Sequence, residues 1–372
     1  MKTSFTWGLL GLLALGAHAE VDMGRDNSAA LPAVPAPRAR TAAELKVMSY
    51  NVQNLFDTVD SPNTNDSEFT PGGDQQWSDT VVRDKIQNLG TVIRSESPDF
   101  IGLYEIENFA MIERLVREGL PRQGYVVWGS GPSDDARGIR NGFISRFPVV
   151  DVRSHRVWRE AWQRQGQPSK RTRDILEVTV RVPARRNATA QDVTFFLNHW
   201  PSRGGGADAV SFRQDVAAQL ATFTEAVTTA HPNRLVVSMG DYNDELGDPP
   251  FTATIRMAAS VAELARLPAP AFFAIDSLLP LGSGTFYYFV DRVWNSLDHI
   301  LMAGGRGYLN GRTPAYRFKA GSEKIVRSSF VSNDAVHSPQ GCEIRRGGRR
   351  SQLGCPRGAS DHFPLSAVFE YR

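Results

Sequence analysis

Short apolar runs recur along this chain, and most of them end at an acid, an amide or a histidine. Leu45–Asn51, Asp99–Glu105, Val193–His199 and Leu235–Met239 have this form, the last followed at once by Asp241 and Asn243. Each run is too short to span a bilayer and has the length of a buried strand. Further strand candidates are Tyr125–Trp128, Gly142–Ser145, Ile175–Val182, Leu297–Met302 and Ser366–Tyr371. Between them lie stripes of helical period: Val82, Ile86, Leu89 and Ile93, and later Val216, Leu220, Phe223 and Val227. A third helix is expected over Thr252–Leu267. So many apolar strands, separated by amphipathic helices, predict an α/β chain with a two-layered sheet core covered by helices. Periodicity leaves the strand order open.

The 372 residues allow one large domain, and the formal net charge of +2 is too near neutral to indicate a polyanion partner by bulk charge. Lys2, the apolar run Leu9–Leu15 and Ala17-His18-Ala19 read as an export signal over residues 1–19, cleaved after Ala19. The alternative, an uncleaved membrane anchor, is disfavoured because the run is short. Cleavage removes one Lys and no acid, leaving +1. Residues 20–43 are rich in Ala and Pro and read as a flexible leader, so the catalytic domain is expected over 44–372. No later run is long enough to anchor the chain, and a periplasmic or secreted monomer without an evident protein partner is expected. In an oxidising compartment Cys342 and Cys355 are expected to pair, closing a short loop worth roughly 3 kcal/mol. The alternative is two free thiols. His337 and His362 flank the pair, but the spacings do not match a structural zinc site.

The chemistry concentrates in five places. Asn51 ends a strand with an amide suited to a metal-held water or a phosphate oxygen, although Asn there is more often a turn former. Glu105 ends Phe100–Leu103 with a carboxylate suited to a hard divalent cation, or is a surface Glu at a strand exit. His199 can donate to a phosphate oxygen, with Arg203 as a second charge-assisted contact, or is a satisfied structural histidine. Gly240 permits a sharp exit from its strand, and Asp241 and Asn243, two apart, would then aim at one face. There an acid and an amide can orient water and stabilise charge; an Asx-rich turn is the bland alternative. Asp298 is suited to orient His362 as a base near neutral pH, with Asp361 pointing elsewhere, toward a metal or the nucleophilic water. The bland alternative is a surface turn with a capping Asp. His299 is expected to be structural. Singly these signals are ambiguous, but their order makes a kit for metal-assisted attack of water on phosphorus.

At this point the chain resembles the endonuclease/exonuclease/phosphatase superfamily, to which the pancreatic-type deoxyribonucleases belong. The motifs are Ser49-Tyr50-Asn51-Val52-Gln53-Asn54-Leu55-Phe56-Asp57, Asn198-His199-Trp200-Pro201-Ser202-Arg203 and Gly240-Asp241-Tyr242-Asn243-Asp244. They look most like bacterial exported members, and the resemblance runs from about Lys46 to the C-terminus. It implies a four-layer sandwich, two packed β-sheets flanked by helices. It implies a divalent ion, Mg²⁺ with Mn²⁺ or Ca²⁺ as alternatives, held mainly by Glu105 with help from Asn51 and with Asp361 beside it. His362, paired with Asp298, would activate water or organise the scissile phosphate. Asp241 and Asn243 would position the nucleophile and stabilise the transition state, and His199 would bind phosphate. Two departures are mild: Tyr104 stands where many members have Gln, and Tyr242 where Phe is common. No matched catalytic position is lost, which argues against a non-catalytic binding module on the same fold.

These motifs do not name a substrate. Two basic stretches favour DNA or RNA. Asp151–Arg173 holds Arg153, Arg156, Arg159, Arg164, Lys170, Arg171 and Arg173 with Trp158 and Trp162 among them, net +5. Gln340–Ala359 holds Arg345, Arg346, Arg349, Arg350 and Arg357, net +4, just before Asp361 and His362. Arginine with aromatics suits a flexible nucleic-acid strand; plain solvated loops are the alternative. A small or lipid phosphoester is the second substrate class, disfavoured by the lack of a visible aromatic-tipped hairpin.

Overall fold

The computed structural model describes residues 21–25, 44–157, 172–183, 190–305, 316–327, 339–341 and 358–371. The expected signal 1–19, both cysteines, Trp158, Trp162 and all five arginines of the second basic stretch lie outside these residues.

Along the chain, β1 (Asp22–Arg25) and β2 (Glu44–Leu55) precede α1 (Asp79–Glu96). Then come β3 (Phe100–Ile106), α2 (Phe109–Arg114), β4 (Val127–Ser130), β5 (Arg140–Ser145) and β6 (Val149–His155). β7 (Ile175–Val182) and β8 (Gln191–His199) lead into α3 (Gly206–Ala230) and β9 (Leu235–Asp241). After α4 (Val261–Leu264) follow β10 (Ala271–Ala274), the hairpin β11 (Phe286–Tyr288) and β12 (Val293–Asn295), and β13 (Asp298–Gly304). β14 (Tyr316–Phe318), β15 (Lys324–Ile325) and β16 (Leu365–Tyr371) close the fold.

Two mixed sheets carry these strands apart from β11 and β12, which form a two-stranded sheet of their own. One runs β1-β4-β5-β3-β2-β16-β14 with β15 on β16, and the other runs β10-β13-β9-β8-β7-β6. Three apolar layers show the stacking. Leu45, Val47, Phe100 and Phe143 of the first sheet meet Val178, Phe195, Leu197 and Met239 of the second. Met48, Tyr50, Ile101 and Leu103, alternating with those residues along β2 and β3, face Val82, Ile86, Leu89 and Ile93 of α1. Phe196, Val236 and Leu301 on the far face of the second sheet meet Val216 and Leu220 of α3. Both faces of each sheet are therefore buried, which is why the strands read as nearly continuous apolar runs. The result is the expected sandwich of two packed β-sheets flanked by helices. Local signals end α1: Ser78 caps its start by accepting from the Val81 amide, and Ser97, left-handed, stops it just before Pro98.

Several expectations need correction. Asp22–Arg25, inside the stretch read as a flexible leader, pair with β4 as an edge strand. The helix expected over Thr252–Leu267 is broken: Pro250–Thr254 make one wide turn, Met257 bridges to Phe272, and only Val261–Leu264 are helical. Met257 and the neighbouring backbone are taken up by the edge strand β10. β6, β10 and the β11–β12 hairpin were not visible in the sequence. The hairpin matters below, because its absence had been the argument against a lipid ester.

Candidate active site

Sheet register builds most of the site. His199 ends β8 and Asp241 ends β9; the two are direct parallel partners. Asp298 opens β13 and lies opposite Asp241. A histidine and two acids distant in sequence thus stand in one row at one rim. Gly240 stays within β9 and is not the sharp exit expected. It is there for room: a Cβ on it would lie 2.0 Å from the Asn198 carbonyl oxygen.

The first sheet contributes from a break in register. β2 and β3 pair in parallel up to Asn51 and Tyr104, then resume at Leu55 and Ile106. In the gap Gln53, Asn54 and Glu105 all have positive φ, a conformation unfavourable for these residues and held by the surroundings. The Asn54 amide donates to Glu105 Oε2 (2.9 Å), and Asn51 Nδ2 donates to Glu105 Oε1 (3.2 Å) and to Asp241 Oδ2 (2.9 Å). Asn51 thereby ties the two sheets together across the rim. His199 Nε2 is 3.7 Å from both Glu105 Oε1 and Asp241 Oδ2.

His362 arrives on the segment leading into β16. The Ser360 hydroxyl donates to the Asn51 carbonyl (2.6 Å) and accepts from the His362 amide, while the buried Lys85 and Asn88 of α1 donate to the Ala359 and Gly358 carbonyls. Held this way, His362 Nδ1 lies 2.7 Å from Asp298 Oδ2, and its Nε2 looks toward Asp241 Oδ2 at 3.8 Å. Asp361, more exposed, stands 4.0 Å from the same Nε2.

The electrostatics separate the two histidines. Burial would lower His362, but Asp298 and Asp241 outweigh it and raise the imidazole well above its usual range. His199 is driven well below its usual range by burial and by the cations Arg173 and Arg137, so it is neutral. Burial, reinforced by Asp298, pushes the Asp241 carboxyl up to about 6.

Not every expected residue reaches the rim with a free group. Asn243, left-handed at φ 53, uses its amide on the Trp200 carbonyl (3.0 Å), and its backbone N–H donates to Asp241 Oδ1. Arg203 braces the turn, its guanidinium donating to the Asn243 carbonyl and pairing with Asp248. His299 is structural as expected, with Nδ1 on Asp276 (2.7 Å) and Nε2 on the Asp244 carbonyl (2.8 Å). Tyr104 lies between the sheets, its hydroxyl accepting from Ser49.

Sequence reasoning missed the supports. Asn198 accepts from the Trp200 indole and donates to Ser238, whose hydroxyl contacts Tyr242, a buried polar network beneath the row. The motif residues around His199 and Asp241 were the signal. Arg173 had been counted in a solvent-facing basic stretch; it is buried, on Asp135 and the Trp200 carbonyl. Nothing in the sequence singled out Arg137, which donates to Asn54.

Residues 46–370 match the model of the Endonuclease/Exonuclease/phosphatase family. The chain belongs to that family. None of the curated proteins matches it in sequence. Solved structures share the fold at low identity. TDP2 of D. rerio complexed with single strand DNA product is 16% identical, with a TM-score of 0.50 over 88% of this chain and 99% of that one. An endonuclease/exonuclease/phosphatase family protein of Bacteroides thetaiotaomicron is 16% identical, TM-score 0.51, covering 88% and 95%. The mannosyl-6-phosphatase Bt3783 of the same organism is 16% identical, TM-score 0.50, covering 88% and 100%. Members of that family are phosphoester hydrolases. Among the described residues no helix is long and apolar enough to cross a membrane.

Proposed function

We propose that this protein is an exported, Mg²⁺-dependent phosphodiesterase that cleaves DNA or RNA. The observation that carries the reading is the rim itself: a buried Asp298–His362 pair faces a second acid, Asp241, across a space bordered by Glu105 and His199. Two further observations support a nucleic acid over a small ester. The ends of the net +4 arginine segment are tied beside Asn51, with the Ala359 amide on the Gln340 carbonyl (2.8 Å) and Gly341 against Gln53. A structural relative was solved with a DNA product.

The donor set suits a hard cation. Glu105, Asp241, Asp298 and Asp361 are oxygen donors around one space, and the buried Asp298 Oδ1 has no partner among the described residues. One atom each from Asp241, Asp298 and His362 lie within 4.8 Å of one another, a group different from the Asn51, Glu105 and Asp361 set read from the sequence. Since Asp298 and His362 are engaged with each other, we assign the ion to Glu105, with Asn51 and Asp361 beside it. When bound, the cation supplies positive charge against the phosphate and its leaving oxygen.

The side chains divide the remaining work. Asp298 accepts from His362 Nδ1 and keeps the imidazole charged, so Nε2–H is available to a phosphoryl oxygen. Of the two roles implied for His362, this favours organising the phosphate over activating water. Asp241, ionised above about pH 6, takes the proton of the attacking water. Neutral His199 donates to a second phosphoryl oxygen, and Asn243 locks the turn that aims Asp241.

The test uses the mature chain, supercoiled plasmid and Mg²⁺. Nicking is expected, abolished by EDTA and by Glu105→Ala. A folded chain that does not nick overturns the nuclease reading and leaves a small or lipid phosphoester. That second reading has observations of its own: a mannosyl-6-phosphatase shares the fold at the same TM-score of 0.50, and Val290, in the turn of the hairpin whose Phe286 bridges to His362, is an exposed apolar side chain. A panel of phosphodiesters and phosphomonoesters then decides.

A further inference from the structure

The β11–β12 hairpin is rooted in the catalytic pair. Phe286 makes a backbone bridge with His362, and their rings are 5.1 Å apart. The Phe363 amide donates to the Thr285 carbonyl, and the Thr285 hydroxyl accepts from the Asp298 amide. One face of the hairpin is packed: Tyr287 and Trp294, direct partners, contact each other, and Trp294 stacks on Phe363. Alternation puts the neighbours of these residues on the opposite face. That face carries Phe286, half-buried against His362, then Tyr288 (43% exposed) opposite Val293 (44% exposed). It runs outward from His362 by about 7 Å from Phe286 to Tyr288.

We propose that this face is a stacking platform for a nucleobase flanking the reacting phosphate, with Tyr288 as the specificity-determining ring. The inference rests on the nucleic-acid reading and names the group that binds beside the phosphate. Because the face begins at His362, it lies where a group one unit away from an ester held there would reach. A flat ring flanked by an aliphatic side chain suits a base, and stacking tolerates any base because each has a π-face. Insertion into a bilayer fits less well. The turn joining the strands holds the exposed charges of Asp291 and Arg292, which insertion would carry into the hydrocarbon region at high cost. Val290, in the same turn, is the apolar residue that would favour insertion.

The test compares thymidine 5′-(4-nitrophenyl phosphate) with methyl 4-nitrophenyl phosphate, in the full mature chain with Mg²⁺. Tyr288→Ala should lower kcat/KM for the thymidine ester roughly 5- to 150-fold, the range of one base stack, and change the methyl ester less than about twofold. Tyr288→Trp should keep the preference. Equal losses on both esters, or none on either, overturn the platform while leaving the phosphodiesterase standing. A wild-type chain that cleaves neither ester overturns the function reading. The platform is then read by calorimetry: thymidine 5′-monophosphate should bind at least about tenfold tighter than deoxyribose 5-phosphate, and only with Tyr288 present. Equal affinities overturn it. Co-sedimentation with phosphatidylcholine vesicles that Tyr288→Ala abolishes, without a base preference, overturns it in favour of a membrane face.

Discussion

Asp298 and His362 are 64 positions apart, and their 2.7 Å contact sets the charge state of the site. An amide at 298 cannot stabilise the imidazolium. Asp298→Asn is expected to lower kcat/KM by roughly 10²- to 10³-fold, the usual worth of one donor aimed at the charge that develops on the reacting group. The pH profile distinguishes the two candidate bases. Asp241 has its carboxyl raised by burial to about 6, and its active form is the ionised one. Activity should therefore fall as pH drops through about 6 and level off above it. His362, raised well above its ordinary range, stays protonated through the neutral region and contributes no limb there. A rate that still rises severalfold from pH 7 to 8 under saturating Mg²⁺, or an unchanged acid limb in Asp241→Asn, would overturn this division. His299 shows how little adjacency decides. It follows Asp298 on the same strand, so alternation sends it to the other face, where Asp276 and the Asp244 carbonyl occupy both ring nitrogens.

Elements set the distances. β8 and β9 run in parallel with Asn198 beside Gly240, and the space for a side chain at 240 is already filled by backbone. Gly240→Ala must push the strands apart at the level where His199 meets Asp241. A loss of about 1–3 kcal/mol in urea unfolding is expected, the usual cost of overpacking, together with a fall in activity larger than stability alone explains. Full activity and unchanged stability would show that the rim tolerates a shift. The matching break in β2 and β3 does the opposite work. Three consecutive residues of β2 fall between its last and next paired positions, against one in β3, and the slack turns Glu105 inward. Positive φ at Glu105 carries no sequence signature, since Glu is not a residue chosen for that conformation. The expected helix over Thr252–Leu267 failed for a related reason. Pairing with an edge strand outweighed local propensity there.

The whole molecule is two sheets pressed face to face, and the rim exists only because they are aligned. Phe100 and Phe195 stack across the interface with centroids 3.9 Å apart, one from each sheet. Phe195→Ala is expected to cost about 3–5 kcal/mol, measured by urea unfolding, as a buried aromatic leaves a cavity. It should also loosen the Asn51–Asp241 tie, so that activity falls at temperatures where the chain is still folded. A loss below about 1 kcal/mol would mean that the sheets are held elsewhere.

The sequence by itself determined what depends on short range. Strand identity followed from short, nearly continuous apolar runs and helix identity from period 3.6, because burial on both sheet faces and on one helix face imposes those two patterns. The family followed too, since Asn51, Glu105, His199, Asp241, Asp298 and His362 stand in motif order along the chain. Tertiary structure alone decided which of these groups meet. Register put His199, Asp241 and Asp298 in one row, pairing gave His362 its acid, and Arg203 went to Asp248 on the neighbouring turn. It also placed Asp22–Arg25 on β4 and an aromatic hairpin on His362, neither of which local pattern announces. The physical reason is the same throughout. A side chain's conformation is set by its near neighbours, but its protonation and partners are set by groups that only the packed sheets bring within a few ångströms.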